Sequence, residues 1–318
     1  MITYLVFILT IAGIYAMLSL GLVTIWGQGG MVNLGLVGFF AVGAYTSALL
    51  TAQGVPILGG WIAGAIFSGL VGAALTYTTR KMRGDYLAIV SLGFAEVIRL
   101  IAMNETWLTH GSDGISGIKA PYKLVLGNAF DSFYLILVWA VVAITAWMIS
   151  RLLRAPFGRA MRAMRDDEQV AAVAGKPVLQ FKLKSFFIGA SVTGLAGAMY
   201  AHLTSYIAPD SFVPLLTIYI FLAATLGGYT RIKGALIGAV IVVALLELSR
   251  YFAAFIPGLN AVQIASVREM SIALTLIVVM QVWPDGLFAP ENERSECHVD
   301  NTEGNTNETR PAQYTHHI

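Results

Sequence analysis

Charge is what this chain lacks most. Only 12% of its 318 residues are Asp, Glu, Lys or Arg, whereas an ordinary soluble domain carries about 25%. That shortage excludes a chain whose whole surface faces water. There is one cysteine, Cys297, which excludes an intrachain disulfide framework and a cysteine metal cluster. No GxxxxGK[ST] segment occurs, because Gly175-Lys176 is followed by Pro177 and position 170 is Val170 rather than a glycine. The usual backbone cradle for nucleotide phosphates is therefore missing. HExxH and paired Cys/His spacings are absent too, so neither a cofactor nor a metal is expected in this chain, and nucleic acid is not an expected partner. Asp166-Asp167-Glu168 sits among arginines with no second carboxylate cluster. It reads as a solvated or docking face, not a metal site.

What the chain has instead is apolar sequence. It is 57% hydrophobic with a mean hydropathy of +0.72. The apolar residues gather in runs of about 20, enough for a helix to cross a hydrocarbon core of roughly 30 Å. Segments 2–25, 31–51, 58–79, 86–103, 132–150, 182–205, 212–228, 234–254 and 266–283 predict about nine spans. The fold class is all-α, a polytopic transmembrane helix bundle. Residues 1–290 form one transmembrane domain, since no polar domain interrupts the runs. Residues 291–318 form a polar tail in which six acids face Arg294 and Arg310, giving it a net charge of −4 and leaving +6 for the rest. With so few apolar side chains, the tail is expected to be disordered. The N-terminus lacks a basic n-region and its apolar stretch outruns an h-region, so it reads as a first span and not as a cleaved signal.

Residues 27–43 contain six glycines in 17 positions. Such a stretch is either a tightly packed helix or a broken one lining a path, because non-helical backbone is tolerated at membrane depth only under cover of protein or beside a cavity. Small residues recur at helix-packing intervals at Gly60/Gly64, Gly189/Thr193/Gly197 and Gly234/Gly238, where backbones can approach closely. Thirteen basic residues fall on one set of loops: Arg80, Lys81, Arg83, Arg151, Arg154, Arg159, Arg162, Arg165, Lys176, Lys182, Lys184, Arg231 and Lys233. The positive-inside rule puts those loops in the cytoplasm, the N-terminus outside and the tail inside.

Residues 151–175, RLLRAPFGRAMRAMRDDEQVAAVAG, hold eight charges, five of them arginine. A helix starting near Phe157 puts Arg159, Arg162, Asp166 and Gln169 on one face and Met161, Met164, Val170 and Ala174 largely on another. Arg162 and Asp166 are spaced to pair at i,i+4. Too polar to span, such a helix lies on anionic lipid, fits a groove on a soluble partner, or merely connects two spans. Within the spans, Glu96/Arg99 and Glu247/Arg250 each sit three residues apart on one helix face, so each pair can neutralise itself. Intramembrane charges face a bundle interior or cavity. These two pairs and Asn33 are the candidate lining of a solute path, the alternative being clamps between helices. Asp85 suits the N-terminus of its helix.

Several segments, in order, resemble LivM-type permeases, the membrane subunits of ABC importers for branched-chain amino acids: NLGLVGFFAVGAY (33–45), RKMRGDYLAIVSLGFAEVIRL (80–100), HGSDGISGI (110–118), the strip from Arg151 to Ala201, ATLGGYTRIKGALIGAV (224–240) and VWPDGLF (282–288). The likeness covers roughly residues 15–290. It implies that the strip docks in a groove of an ATPase subunit. Gly158 would lie at the turn, with Arg159, Met161, Arg162, Met164, Arg165, Asp167, Glu168 and Ala171 on the docking surface. It also implies a second homologous permease, two ATP-binding subunits that hold ATP and Mg, an extracytoplasmic amino-acid-binding protein, and a bacterial inner-membrane location. The chain departs from the pattern at Pro177 and at Leu36. Rival readings are a permease for urea, a short amide or another small polar solute, and more distantly a polytopic membrane enzyme or a scaffold.

Overall fold

The computed structural model describes residues 2–82, 84–254, 261–282 and 286–287. Arg83, most of the VWPDGLF motif, Cys297 and the whole tail lie outside the described residues, as does the side chain of Arg250. The chain divides into residues 1–288 and 289–318, and only the first unit is described.

Eleven helices of six residues or more are labelled in chain order: α1 Ile2–Leu22, α2 Leu36–Ala52, α3 Ile57–Thr78, α4 Asp85–Asn104, α5 Phe130–Arg154, α6 Pro156–Asp166, α7 Glu168–Val173, α8 Val178–Thr204, α9 Pro214–Gly227, α10 Ile232–Ala254 and α11 Ala261–Val282. All but α6 and α7 correspond to the nine predicted spans. Among the described residues, seven segments are long and apolar enough to cross a membrane, while α2 is a shorter apolar helix. The fold is an all-α polytopic bundle.

α1 runs through the middle. Ala16, Met17, Leu18, Leu20 and Leu22 are buried on all its faces, and the helix packs against α5, α8, α9 and α10. A second nucleus joins α2, α3 and α8. Here the predicted small-residue stripes become seams. A methyl built on Gly43 would collide with the backbone of Gly194, and one on Gly197 with the Phe40 carbonyl. The Gly234/Gly238 stripe fits against Gly227 and Ala223 of α9 in the same way. Hydroxyls tie helices across these seams, since lipid offers no competing water. Ser68 Oγ donates to the Phe39 carbonyl at 2.7 Å, Ser185 Oγ to Thr24 at 3.0 Å, and Tyr134 OH to Met199 at 2.6 Å.

The glycine-rich stretch is broken. α1 passes into a π-helical turn, Val23–Gly27, residues 28–35 leave the helical path, and α2 starts at Leu36, five residues later than the predicted span. The backbone groups find other partners. Leu34 N–H donates to Ser91 Oγ of α4 at 2.9 Å, Gly35 N–H to Asn33 Oδ1 at 2.8 Å, and Val37 N–H to Thr217 Oγ1 of α9 at 3.3 Å. Protein covers the break, with Gln28 5% and Asn33 0% exposed, as backbone without a helical ladder requires in lipid.

The end of the bundle remote from α6 has a feature the sequence did not announce. A two-residue antiparallel ladder pairs β1, Ile115–Ser116, with β2, Tyr206–Ile207. His202, buried at the end of α8, fixes the loop beneath it. Its Nδ1 lies 2.6 Å from the Lys119 carbonyl and its Nε2 2.9 Å from Ser47 Oγ.

The seam sets a test. Gly43→Ala places a methyl against backbone that has no rotamer to move, so thermal stability of the detergent-solubilised chain should drop by about 1–3 kcal/mol. Gly93→Ala, where nothing lies within 4 Å, should leave it unchanged or slightly higher. Equal melting temperatures for the two variants would refute the seam.

Candidate functional site

The charged strip folds as two short helices pressed on the bundle. Ala155 is extended, with φ −71° and ψ 169°, and Pro156 opens α6 at its first turn, where its missing N–H costs nothing. Gly158 is buried at that turn, and any side chain there would overlap the Leu153 backbone. The single helix expected from Phe157 through Ala174 breaks at Asp167, whose φ of −153° and ψ of 112° are extended. Its Oδ1 accepts from Gln169 N–H at 2.7 Å and Val170 N–H at 3.0 Å. A side-chain acceptor that satisfies two orphan donors favours a new N-terminus over a continued helix. Asp167 is exposed, but its carboxylate is committed to that cap.

The surface expected to meet a partner is therefore rearranged. Met161 is 0% exposed, and Gly158, Met164 and Ala171 are also buried. These four expected docking residues face the chain's own bundle, where Met161 packs with Ile25, Met31 and Phe186. The exposed face carries Arg159, Arg162 and Asp166 from α6, then Val170 and Val173 from α7, which are 64% and 91% exposed. Val170, expected to share a face with Met161 and Met164, lies opposite them. These valines were missed, though two valines three residues apart at the end of a polar strip are the local signal.

Two polar latches hold the pair in place. Arg165 Nη1 donates to the Gly27 carbonyl at 2.9 Å, so α6 grips the end of the π turn at the break. Glu168 Oε2 lies 2.8 Å from Lys182 Nζ of α8. The predicted Arg162–Asp166 pair does not form. Asp166 instead sits 3.5 Å from Arg165 Nε, and Arg162 Nη1 donates to the Leu153 carbonyl at 3.3 Å.

The intramembrane candidates lie elsewhere. Arg99 Nε donates to both carboxylate oxygens of Glu96, at 3.1 and 3.0 Å, so this pair neutralises itself as expected. Asp210, in the turn between β2 and α9, is within electrostatic reach of Arg99. Glu247 accepts from Tyr4 OH at 2.6 Å, a contact 243 residues apart that no local pattern signals. Its expected partner Arg250 has its side chain outside the described residues. Asn33 caps the turn within the break and is fully buried.

A multi-helix bundle with a polar rod latched to the break after its first span defines a class, that of polytopic membrane proteins. The family described as the branched-chain amino acid transport system permease component matches residues 4–282. The high-affinity branched-chain amino acid transport system permease protein LivM of Salmonella typhimurium is 33% identical over 311 residues, covering 88% of this chain and 69% of that protein. LivM of Escherichia coli is 32% identical over the same shares. The permease protein LivH of Salmonella typhimurium is 23% identical over 308 residues, covering 90% of this chain and 94% of its own length. No solved structure matches the chain. The chain belongs to the branched-chain amino acid permease component family, and it is the membrane permease of an ABC importer.

The cap has a direct test. Asp167→Ala should speed hydrogen exchange at the Gln169 and Val170 amides about fivefold, the equivalent of about 1 kcal/mol for a lost N-cap, while Asp167→Asn keeps the protection. Unchanged exchange in the alanine variant would mean that α7 does not depend on this cap.

Proposed function

We propose that this chain carries branched-chain aliphatic amino acids into the cytoplasm across a bacterial plasma membrane, driven by ATP that separate subunits bind and hydrolyse with Mg. It would pair with a second homologous permease and two ATP-binding subunits, and receive solute from an extracytoplasmic amino-acid-binding protein. The N-terminus would face outward and the tail the cytoplasm. This chain performs no covalent chemistry.

The observation that carries the reading is the latched pair α6–α7. It presents Arg159, Arg162, Val170 and Val173 outward, while Met161, Met164, Arg165 and Glu168 fasten it inward. A groove on an ATPase subunit that took up the valines and faced Arg159 with a carboxylate would hold it from outside. Closure of two such subunits would then push the rod, and the rod would push Gly27 through Arg165 and α8 through Lys182. Such a push moves the spans as rigid bodies between two packed arrangements. Glu96/Arg99 would line the outer part of the path. A self-neutralised pair there presents partners of both signs to a zwitterion without leaving a net charge in lipid.

Uptake of radiolabelled leucine by proteoliposomes holding the full assembly tests this, with isoleucine, valine and urea as competitors. Isoleucine and valine should compete and urea should not; competition by urea alone would favour the small-polar-solute reading. Val173→Glu should weaken co-purification with the ATPase at least tenfold, since it puts a charge where about 1.5 kcal/mol or more of apolar burial is expected. Undiminished association would remove α7 from the docking surface. Glu96→Gln strands Arg99, and uptake should drop by about tenfold, or about 1.4 kcal/mol in the barrier, with normal membrane insertion. Full uptake by that variant would end the path role for the pair.

A further inference from the structure

A cleft of about 530 Å³ opens where α5 ends, α10 begins and α6 passes between them. Its upper rim is built from cations on three separate elements: Arg154 at the end of α5, Arg162 on α6, and Arg231 and Lys233 at the start of α10. Among the described residues, no carboxylate pairs with any of the four. Arg162 has one neutral partner, the Leu153 carbonyl. Four like charges converge on one cleft, so each raises the cost of the others unless an anion joins them. The lower half is different in kind. Trp147, Ala146 and Leu236 line it, on flanks of α5 and α10 where Ile144, Trp147 and Ile237 are exposed, as lipid-facing side chains are. Gln28 lines it too. It is 5% exposed, its Nε2 donates to the Thr230 carbonyl at 2.6 Å, and its Oε1 has no partner.

We propose that this cleft is a binding site for an anionic phospholipid, with the phosphodiester on Arg154, Arg162, Arg231 and Lys233, a headgroup hydroxyl donating to Gln28 Oε1, and an acyl chain along Trp147 and Leu236. Basic pockets between spans at a membrane surface bind such headgroups, and a tryptophan at that depth suits the interface between headgroup and hydrocarbon. The acidic tail has the right charge but few apolar side chains, so it would leave the lower half unfilled. The consequence is mechanical. One phosphate shared by Arg162 and by Arg231 and Lys233 staples α6 to α10, and the lipid becomes a third latch on the rod beside Arg165 and Lys182.

The test needs no transport. The full-length chain is reconstituted from vesicles of phosphatidylcholine and phosphatidylglycerol, extracted, and the lipid it retains is measured by native mass spectrometry. Wild type should retain phosphatidylglycerol in preference to phosphatidylcholine. Arg231→Gln/Lys233→Gln should lower that preference about 25-fold, on roughly a factor of five per cation, whereas Arg231→Lys should keep most of it. Excess glycerol phosphate should not displace the lipid, because it lacks the acyl chain. Equal retention by wild type and the double glutamine variant overturns the proposal. So does displacement by glycerol phosphate, which would make this a free-phosphate site. Absence of preference in wild type also overturns it, and its appearance in a chain ending at Phe288 would name the tail as the occupant.

Discussion

Everything in this bundle answers to one constraint: backbone polar groups buried away from water must find partners inside the protein. Helices meet it by themselves, which is why apolar runs of sufficient length dominate the chain. Residues 28–35 do not meet it alone, and the fold is arranged around that fact. Ser91 from α4, Thr217 from α9, Asn33 from within the break and Arg165 from α6 each supply a group that the helical ladder would otherwise provide. Three elements distant in sequence, α4, α9 and α6, are thereby tied to the break and to Gly27 and Val37 on its flanks. The glycines belong to the same solution, since a side chain at Gly30, with its φ of 68°, or at Gly27 would hold off the Arg165 stem or the Tyr229 carbonyl.

The rod gains its rigidity from small means. α6 and α7 are too short to be stable alone. They persist because each is closed at its start, by Pro156 and by the Asp167 carboxylate, and because Met161 and Met164 bury an apolar side in the bundle. The strip also divides its faces. At about 100° per residue Met161, Met164, Glu168 and Ala171 fall on one side and Arg159, Arg162, Val170 and Val173 on the other, which is the burial observed, so one strip has both a gripping and a presenting surface.

The spans were legible because nothing but a membrane helix buries about 20 consecutive apolar residues, and the glycine stripes were legible because close packing in lipid has few alternatives. The start of α2 was misplaced because the signal that ends the break is Ser91, which lies 57 residues away. The strip was read as one helix because no glycine or proline interrupts it between Gly158 and Gly175. The sequence Asp167-Glu168-Gln169 is nevertheless an N-cap signature of the kind that opens a helix, and it went unread. Met161 and Met164 show the limit of periodicity. The pattern says that one face is apolar, but not whether that face meets a partner or the chain's own core. Tyr4–Glu247 and the β1–β2 ladder join segments with no shared local pattern, so no reading of either segment alone could find them.

The distribution of satisfied charge carries the argument further. Glu96 and Arg99 cancel each other within α4, Glu168 is matched by Lys182, and Arg165 is held by a carbonyl. Charges inside the bundle are thus closed locally, as the cost of leaving one open in low dielectric demands. Among the described residues no carboxylate closes Arg154, Arg231 or Lys233 at its edge, where water or an anion can reach them. The break has the same asymmetry in mechanical form. The π turn that Arg165 holds keeps backbone bonds, from Gln28 N–H to Val23 and from Gly30 N–H to Trp26, whereas the Leu34 and Gly35 amides are held by single side-chain bonds, each worth about 0.5–1.5 kcal/mol net. Rearranging the Leu34 and Gly35 amides therefore costs the exchange of a few such bonds, while bending α1 or α8 would break a helical hydrogen-bond ladder. Of the described bundle, the glycine-rich break is thus the stretch whose backbone is held by the fewest mutually supporting bonds, and the helices on either side are held by the most.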